Sequence, residues 1–237
     1  MAFAQYNNNP SRGRHSMRVG LRGFHSQGIV FLWRSRRTLF GIWLLAWVVS
    51  AHAAENPQIW RNFRGPSGQG MARSNDIPLR WSEEKNISWK TKIPGRGFSA
   101  PVIEGDQIWL TTAFDISSSP EDVTRRTVDN TGSEPITVSD SATMYAICID
   151  RNTGEILKEI QLLHVNEPQW VHVENSYATP TPVIEKNRLY CHFGTFGTVC
   201  LDTRSGEIAW KNTNHKVMHE NGPASNPILW KELLIFH

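Results

Sequence analysis

Thr181-Pro182-Val183-Ile184-Glu185-Lys186-Asn187-Arg188-Leu189-Tyr190, followed by Cys200-Leu201-Asp202-Thr203-Arg204-Ser205-Gly206-Glu207-Ile208-Ala209-Trp210-Lys211, is the stretch that decides the fold. The first half is branched and apolar residues on either side of a short polar run, which reads as strand, tight turn, strand. Pro182 heads the first strand, where the missing amide removes no ladder bond. The second half ends a strand at Asp202 and restarts one after Gly206. Gly supplies the positive φ of such a turn, and Asp hydrogen-bonds the turn's own backbone. Together the two halves make four short strands.

The same unit recurs. Pro101-Val102-Ile103-Glu104-Gly105-Asp106-Gln107-Ile108-Trp109 and Pro227-Ile228-Leu229-Trp230-Lys231-Glu232-Leu233-Leu234-Ile235 copy the Pro-led strand pair, and Cys148-Ile149-Asp150-Arg151-Asn152-Thr153-Gly154-Glu155-Ile156-Leu157 copies the Asp-to-Gly turn. Pro182 and Pro227 are 45 residues apart, a period typical of four-stranded propeller blades. The expectation is an all-β chain, a β-propeller of four-stranded antiparallel blades. It is incomplete, with about two and a half blades plus an N-terminal closing strand at 86–93, where Asn86-Ile87-Ser88-Trp89-Lys90-Thr91 matches the outermost strand of a blade. The first blade carries about 29 extra residues at 115–141, rich in Ser, Thr and Asp and expected as a surface loop. Because the sequence stops inside the third blade, it reads as a fragment whose open arc would expose a strand edge. The expected organisation is a basic N-region and signal peptide at 1–53, an extension at 54–85 and the partial propeller at 86–237.

Charge separates leader from body. Residues 1–53 hold seven Arg and no acid, so 18 of the 25 Lys and Arg face all 22 Asp and Glu in the body. A body of net charge −4 lacks the basic face that nucleic-acid binding needs, so no nucleic-acid partner is expected. Arg34-Ser35-Arg36-Arg37, the apolar run Leu39–Val49 and Ala51-His52-Ala53 have the order of a secretory signal peptide. The run is shorter than the roughly 20 residues of a spanning helix. The expected location is periplasmic or otherwise extracytoplasmic, with membrane attachment only through an uncleaved signal anchor. Met17 is an alternative start. Of three cysteines, Cys191 and Cys200 flank Thr195-Phe196, a predicted hairpin tip. Two readings of them stay open, a cross-strand disulfide and buried thiols.

The Asp-x-x-Thr/Ser-Gly-Glu-Ile-x-Trp pattern resembles the PQQ-type repeat of the quinoprotein-like superfamily. Trp60-Arg61-Asn62-Phe63-Arg64-Gly65-Pro66-Ser67-Gly68-Gln69-Gly70, Leu79-Arg80-Trp81-Ser82-Glu83-Glu84-Lys85, Pro94-Gly95-Arg96-Gly97-Phe98-Ser99 and Asn175-Ser176-Tyr177-Ala178-Thr179-Pro180 are similar to segments of exported bacterial PQQ-like propeller proteins. The resemblance covers about residues 58–237. It implies packing between blades for Trp89 and Trp210. It also implies that an enzyme of the family would hold PQQ with a vicinal Cys pair, a Trp under the ring and Ca²⁺. This chain has no adjacent cysteines.

Two functions follow. The first is a binding or scaffolding module, non-catalytic, taking a protein or a small-molecule or carbohydrate ligand on the propeller face. The alternative is a PQQ-dependent quinoprotein oxidoreductase of the alcohol or sugar dehydrogenase kind, with PQQ and Ca²⁺, whose cofactor residues lie in further blades. No catalytic residue is assigned. The metal or ligand candidates are Arg96 in Arg96-Gly97-Phe98, His172, Glu174 and Asn175 in one loop, and His219, Glu220 and Asn221 in another. His with Glu and Asn supplies donors for a cation or a polar ligand, and loop-backbone hydrogen bonding is the competing use of the same groups. Trp170 and Phe196 stand beside these loops as exposed aromatics suited to a sugar.

Overall fold

The computed structural model describes residues 2–5, 59–72, 77–130, 132 and 134–237. The export segment at 34–53 and Met17 lie outside the described residues. The early strands are β1 (Ala2–Gln5), β2 (Ile59–Trp60), β3 (Val102–Glu104) and β4 (Gln107–Ser117). Helix α1 (Pro120–Arg126) precedes β5 (Ile136–Thr137), β6 (Ser139–Asp150), β7 (Ile156–Asn166) and β8 (Val171–His172). Then come β9 (Val183–Glu185), β10 (Arg188–His192), β11 (Thr198–Asp202), β12 (Ile208–Asn212), β13 (Ile228–Trp230) and β14 (Leu233–Phe236).

The chain is all-β in character, with antiparallel sheets. The two halves of the quoted stretch together build a four-stranded sheet in the order β12-β11-β10-β9, and the first repeat builds β2-β3-β4-β6-β7. A third sheet runs β1-β14-β13. Each Pro-led pair closes through a two-residue turn whose first residue has positive φ: Gly105 at 64°, Lys186 at 51° and Lys231 at 54°. Positive φ there gives the turn a twist that matches the right-handed twist of the paired strands.

The Asp-to-Gly turn is built twice with the same bonds. Asp150 Oδ1 accepts from the amides of Asn152 (2.7 Å) and Thr153 (2.9 Å), and Gly154 N donates to Asp150 O at 2.8 Å. Asp202 Oδ1 accepts from Arg204 (2.9 Å) and Ser205 (3.1 Å), and Gly206 N donates to Asp202 O at 2.8 Å. The next residue also repeats: Arg151 N donates to Asp106 O at 2.9 Å and Thr203 N to Asn187 O at 3.0 Å. In both units this bond ties the turn to the first hairpin.

Consecutive sheets pack face to face. Ile184, Leu189, Cys191, Val199 and Leu201 of the second sheet bury against Trp109, Met144, Ala146 and Cys148 of the first. The alternate residues Val183, Tyr190 and Cys200 pack with Leu234 and Phe236 of the third. The strict period of two sends neighbours to opposite faces, so the second sheet is apolar on both. Side chains from one unit also hold the turn of the next. Trp89 Nε1 donates to Arg151 O at 2.9 Å, and Lys158 Nζ to Thr203 O at 3.0 Å. Trp89 and Lys158 occupy the same position of the repeat.

Two sequence expectations need correction, and two segments outside 86–237 pair with the sheets. Residues 86–93 form no strand. Thr91 Oγ1 bonds instead to Gly154 O of the turn (2.5 Å), and Lys90 pairs with Glu83 (2.7 Å). The added strand of the first sheet is β2, so part of the segment read as an extension is built into that sheet. Arg61 beside it pairs with Glu104 at 2.9 Å, and its carbonyl accepts from Ile184 N at 2.9 Å. Residues 115–141 are not a bare loop: they lengthen β4 and β6 and include α1, which Ser119 caps by accepting from Asp122 N. Finally, Ala2–Gln5, assigned to the leader, pairs with the free edge of β14 from Ala2↔Phe236 to Gln5↔Leu233, since an unpaired edge is a template for a strand.

Of the two cysteine readings, buried thiols hold. Cys191 opposes Val199 and Tyr190 opposes Cys200. The one-residue offset turns the two thiols to opposite faces, and all three cysteines are free and buried.

Candidate functional site

Three loops meet beside the extended ends of β4 and β6. Arg96 and Ala113 exchange backbone hydrogen bonds (2.8 and 3.0 Å). The approach needs glycines on either side: a Cβ on Gly95 would stand 2.6 Å from Ala113 O and one on Gly97 2.6 Å from Thr111 O. From this anchor the Arg96 guanidinium lies 5.8 Å from the Phe98 ring centroid and donates through Nη2 to Val173 O.

The second and third loops are joined through Asn221. Its carbonyl accepts from His172 N at 3.2 Å and from Asn175 Nδ2 at 2.6 Å. Gly222, at φ 102°, lies so close that a Cβ would stand 2.8 Å from Val171 Cγ1. Asn175 Oδ1 accepts from Ser176 N (2.8 Å) and the Thr179 hydroxyl. His172 Nδ1 accepts from Glu174 N at 3.1 Å, and its Nε2 is 3.7 Å from the Glu134 carboxylate.

The structure thus gathers Arg96, His172, Asn175 and Asn221, and leaves Glu174 and Glu220 exposed on the rim. His219 turns inward, its ring 5.4 Å from that of Phe196. Both ring nitrogens are buried without a hydrogen-bond partner, and burial lowers its pKa. Phe196 itself is buried, not exposed as expected, and stacks edge-on with Tyr177 at 5.4 Å. Burial raises the Tyr177 phenol, whose oxygen is buried without a hydrogen-bond partner. The gap between Arg96, Asp115, Asn175 and Tyr177 is closed to a water-sized sphere.

The donor set does not fit PQQ with Ca²⁺. Cys148, Cys191 and Cys200 stand in three different strands and point into the cores. Among the described residues no three His, Cys, Asp or Glu side chains gather as a cation would need. Most of the polar groups of the loop candidates are spent on backbone atoms.

An open cleft of about 510 Å³ lies beside the loops. One side is Arg126, Glu167, Gln169 and the half-buried Trp170. The other is Thr195 with Lys216, Val217 and Met218 of the loop after β12. That loop is pinned to the cleft: Gln169 Nε2 donates to His219 O, Lys216 Nζ to Thr195 O (3.3 Å), and Val217 N to Thr195 Oγ1 (3.3 Å). Of these only Trp170 stood out in the sequence. Sequence reading also missed a line of exposed groups across β6 and β7, in which His164 Nδ1 faces Thr143 Oγ1 at 2.8 Å and Nε2 faces Asn166 Oδ1 at 3.1 Å. Their spacing of 21 and 2 residues has meaning only once the strand register is known.

No protein-family model matches the chain, and no curated protein gives a significant match.

Proposed function

We propose that this chain is an exported PQQ-like β-propeller repeat protein that works as a binding or scaffolding module. The observation that carries the proposal is the Asp-to-Gly turn built twice with identical bonds and clasped each time by a side chain from the preceding unit. Successive antiparallel sheets packed face to face suit blades around an axis. The loops between them then open on one end of the axis, where a propeller offers a ligand or partner several convergent segments.

Binding is favoured over catalysis because the gathered polar groups are already partnered, and few reactive atoms are left free. The quinoprotein oxidoreductase is the second reading, and its cofactor residues would come from further blades. Export through the segment at 34–53 places the module outside the cytoplasm.

The test is reconstitution with PQQ and Ca²⁺. The proposal expects no quinone absorbance retained after desalting and no dye-linked oxidation of alcohols or sugars. Turnover would replace the binding module with the oxidoreductase.

A further inference from the structure

We infer that the cleft between Trp170 and Met218 binds a small organic carboxylate whose charged group is carried on a ring with an apolar face. The inference rests on the reading of the chain as a binding module and names the chemistry of its ligand.

Charge sets the class. Arg126 and Lys216 both line the cleft, and among the described residues neither pairs with a carboxylate. Arg126 donates to Ser118 Oγ (3.1 Å), Ser139 O (2.7 Å) and Pro168 O, and Lys216 donates to Thr195 O (3.3 Å). These acceptors are neutral, so they hold the side chains in place without cancelling their charge. A guanidinium has five N–H donors and an ammonium three. With three bonds on Arg126 and one on Lys216, each keeps two donors for a ligand.

The acids nearby are already engaged. Glu167, the acid in the lining, is bonded to Arg125 at 2.6 Å, and Asp122 is bonded to the same guanidinium at 2.8 Å. Asp115 accepts from Ser139 Oγ at 2.9 Å and lines the separate closed gap beside Arg96. Arg125, Arg126 and Lys216 thus stand against Asp122 and Glu167, three cations to two carboxylates. This surplus sits in a body whose 18 basic residues are outnumbered by 22 acidic ones, and a concave site of one sign draws the opposite charge. A surplus of one, with Glu167 still on the wall, suits a monoanionic carboxylate better than a phosphate. The rest of the lining is apolar: the half-buried Trp170 indole and the exposed side chains of Val217 and Met218. An indole takes the flat face of a ring, and the volume of about 510 Å³ is that of a small-molecule site. A uronic acid and an aromatic acid both present this chemistry.

The experiment is calorimetry on the full chain at low salt with trigalacturonate and phenylacetate as the two ring carboxylates. The methyl ester of each, acetate and inorganic phosphate are the comparisons. At least one ring carboxylate is expected to bind and to shift the Trp170 indole N–H resonance. Esterification should weaken it about tenfold, since it removes hydrogen bonds to charged donors. Lys216→Gln should weaken it about threefold, the worth of an exposed ion pair, and Lys231→Gln, in the turn between β13 and β14, should leave it unchanged. Added salt should weaken it as well. Binding of trigalacturonate alone assigns a sugar acid and of phenylacetate alone an aromatic acid; binding of both supports the shared chemistry. The inference is overturned by any of five results: neither ring carboxylate binds, acetate or phosphate binds as tightly, the ester binds equally, Lys216→Gln binds like the native protein, or the Trp170 resonance stays fixed. None of these results bears on the PQQ reconstitution, so the two readings fail separately.

Discussion

Trp89 lies directly over Gly154: a Cβ at Gly154 would stand 2.6 Å from the indole ring, and Trp89 Nε1 reaches past it to Arg151 O at 2.9 Å. The glycine is needed twice over, for its φ of 78° and for the absent side chain. Gly105 has a similar φ of 64° with nothing near its missing Cβ. Gly154→Ala is therefore expected to cost about 3 kcal/mol, from backbone strain and overpacking together, and Gly105→Ala about 1 kcal/mol. Urea unfolding of the two variants measures the difference. Equal losses would show that the indole does not rest on the turn.

The turn carboxylates should titrate together. Amide N–H groups of Thr153 and Asn152 hold Asp150 below the usual carboxylate range, and the Ser205 amide leads the same effect at Asp202, helped by Arg204 and Arg188. A depressed folded pKa gives stability that is present above the unfolded value of about 3.9 and is lost as pH falls through the folded value. Tm measured from pH 7 to pH 2 should drop on the acid side, and the drop should be shallower in Asp150→Asn with Asp202→Asn.

His192 supplies the opposite charge type. It is buried, stacked on Phe236 at 4.0 Å with Nδ1 2.9 Å from Thr198 Oγ1, and burial first, then His215, lowers its pKa to about 4. Between pH 6.5 and about 4 the unfolded chain binds a proton that the folded chain refuses, so stability falls as pH falls across that window. The loss is about 3 kcal/mol by linkage. His192→Gln should remove it, and NMR titration of the His192 ring should show no charging above pH 5.

The three thiols should stay reduced and hidden. Burial pushes Cys148 and Cys200 up to about 11 and Cys191 higher still. Thiolate, the reactive form, is then scarce at pH 8. A thiol reagent should find none in the native protein and three after denaturation, and reductant should leave Tm unchanged. Finding one thiol after denaturation would mean that Cys191 and Cys200 share a face after all.

Lys186-Asn187 occupies a turn with both φ values positive, 51° and 63°. Replacing the pair with Asn-Gly, the sequence such turns prefer, should raise stability by about 1 kcal/mol in the same urea assay.

The repeat was legible because its signals are local: Pro before an aliphatic pair, and Asp four residues before Gly. Strand pairing at 183–185, 188–192, 198–202 and 208–212 follows from them directly. The fate of 86–93 was not legible, because Ile87 and Trp89 have the pattern of a strand and only tertiary contact with Gly154 takes the segment out of the ladder. Likewise the stretch 115–141 is rich in Ser, Thr and Asp, and nothing in its periodicity shows that Asp115 and Ala142 pair across lengthened strands. The cysteine geometry turned on one residue in the loop between His192 and Thr198. Loop convergence on the candidate residues came with the repeat, but the inward turn of His219 depended on Phe196 lying behind it.

Nuclear Overhauser contacts test the duplicated unit most directly. The account predicts cross-strand contacts for Ile108 with Ile149 and for Leu189 with Leu201, together with a contact from the Trp89 indole to Gly154. Pairings shifted by one residue in either sheet, or an indole remote from Gly154, would contradict it.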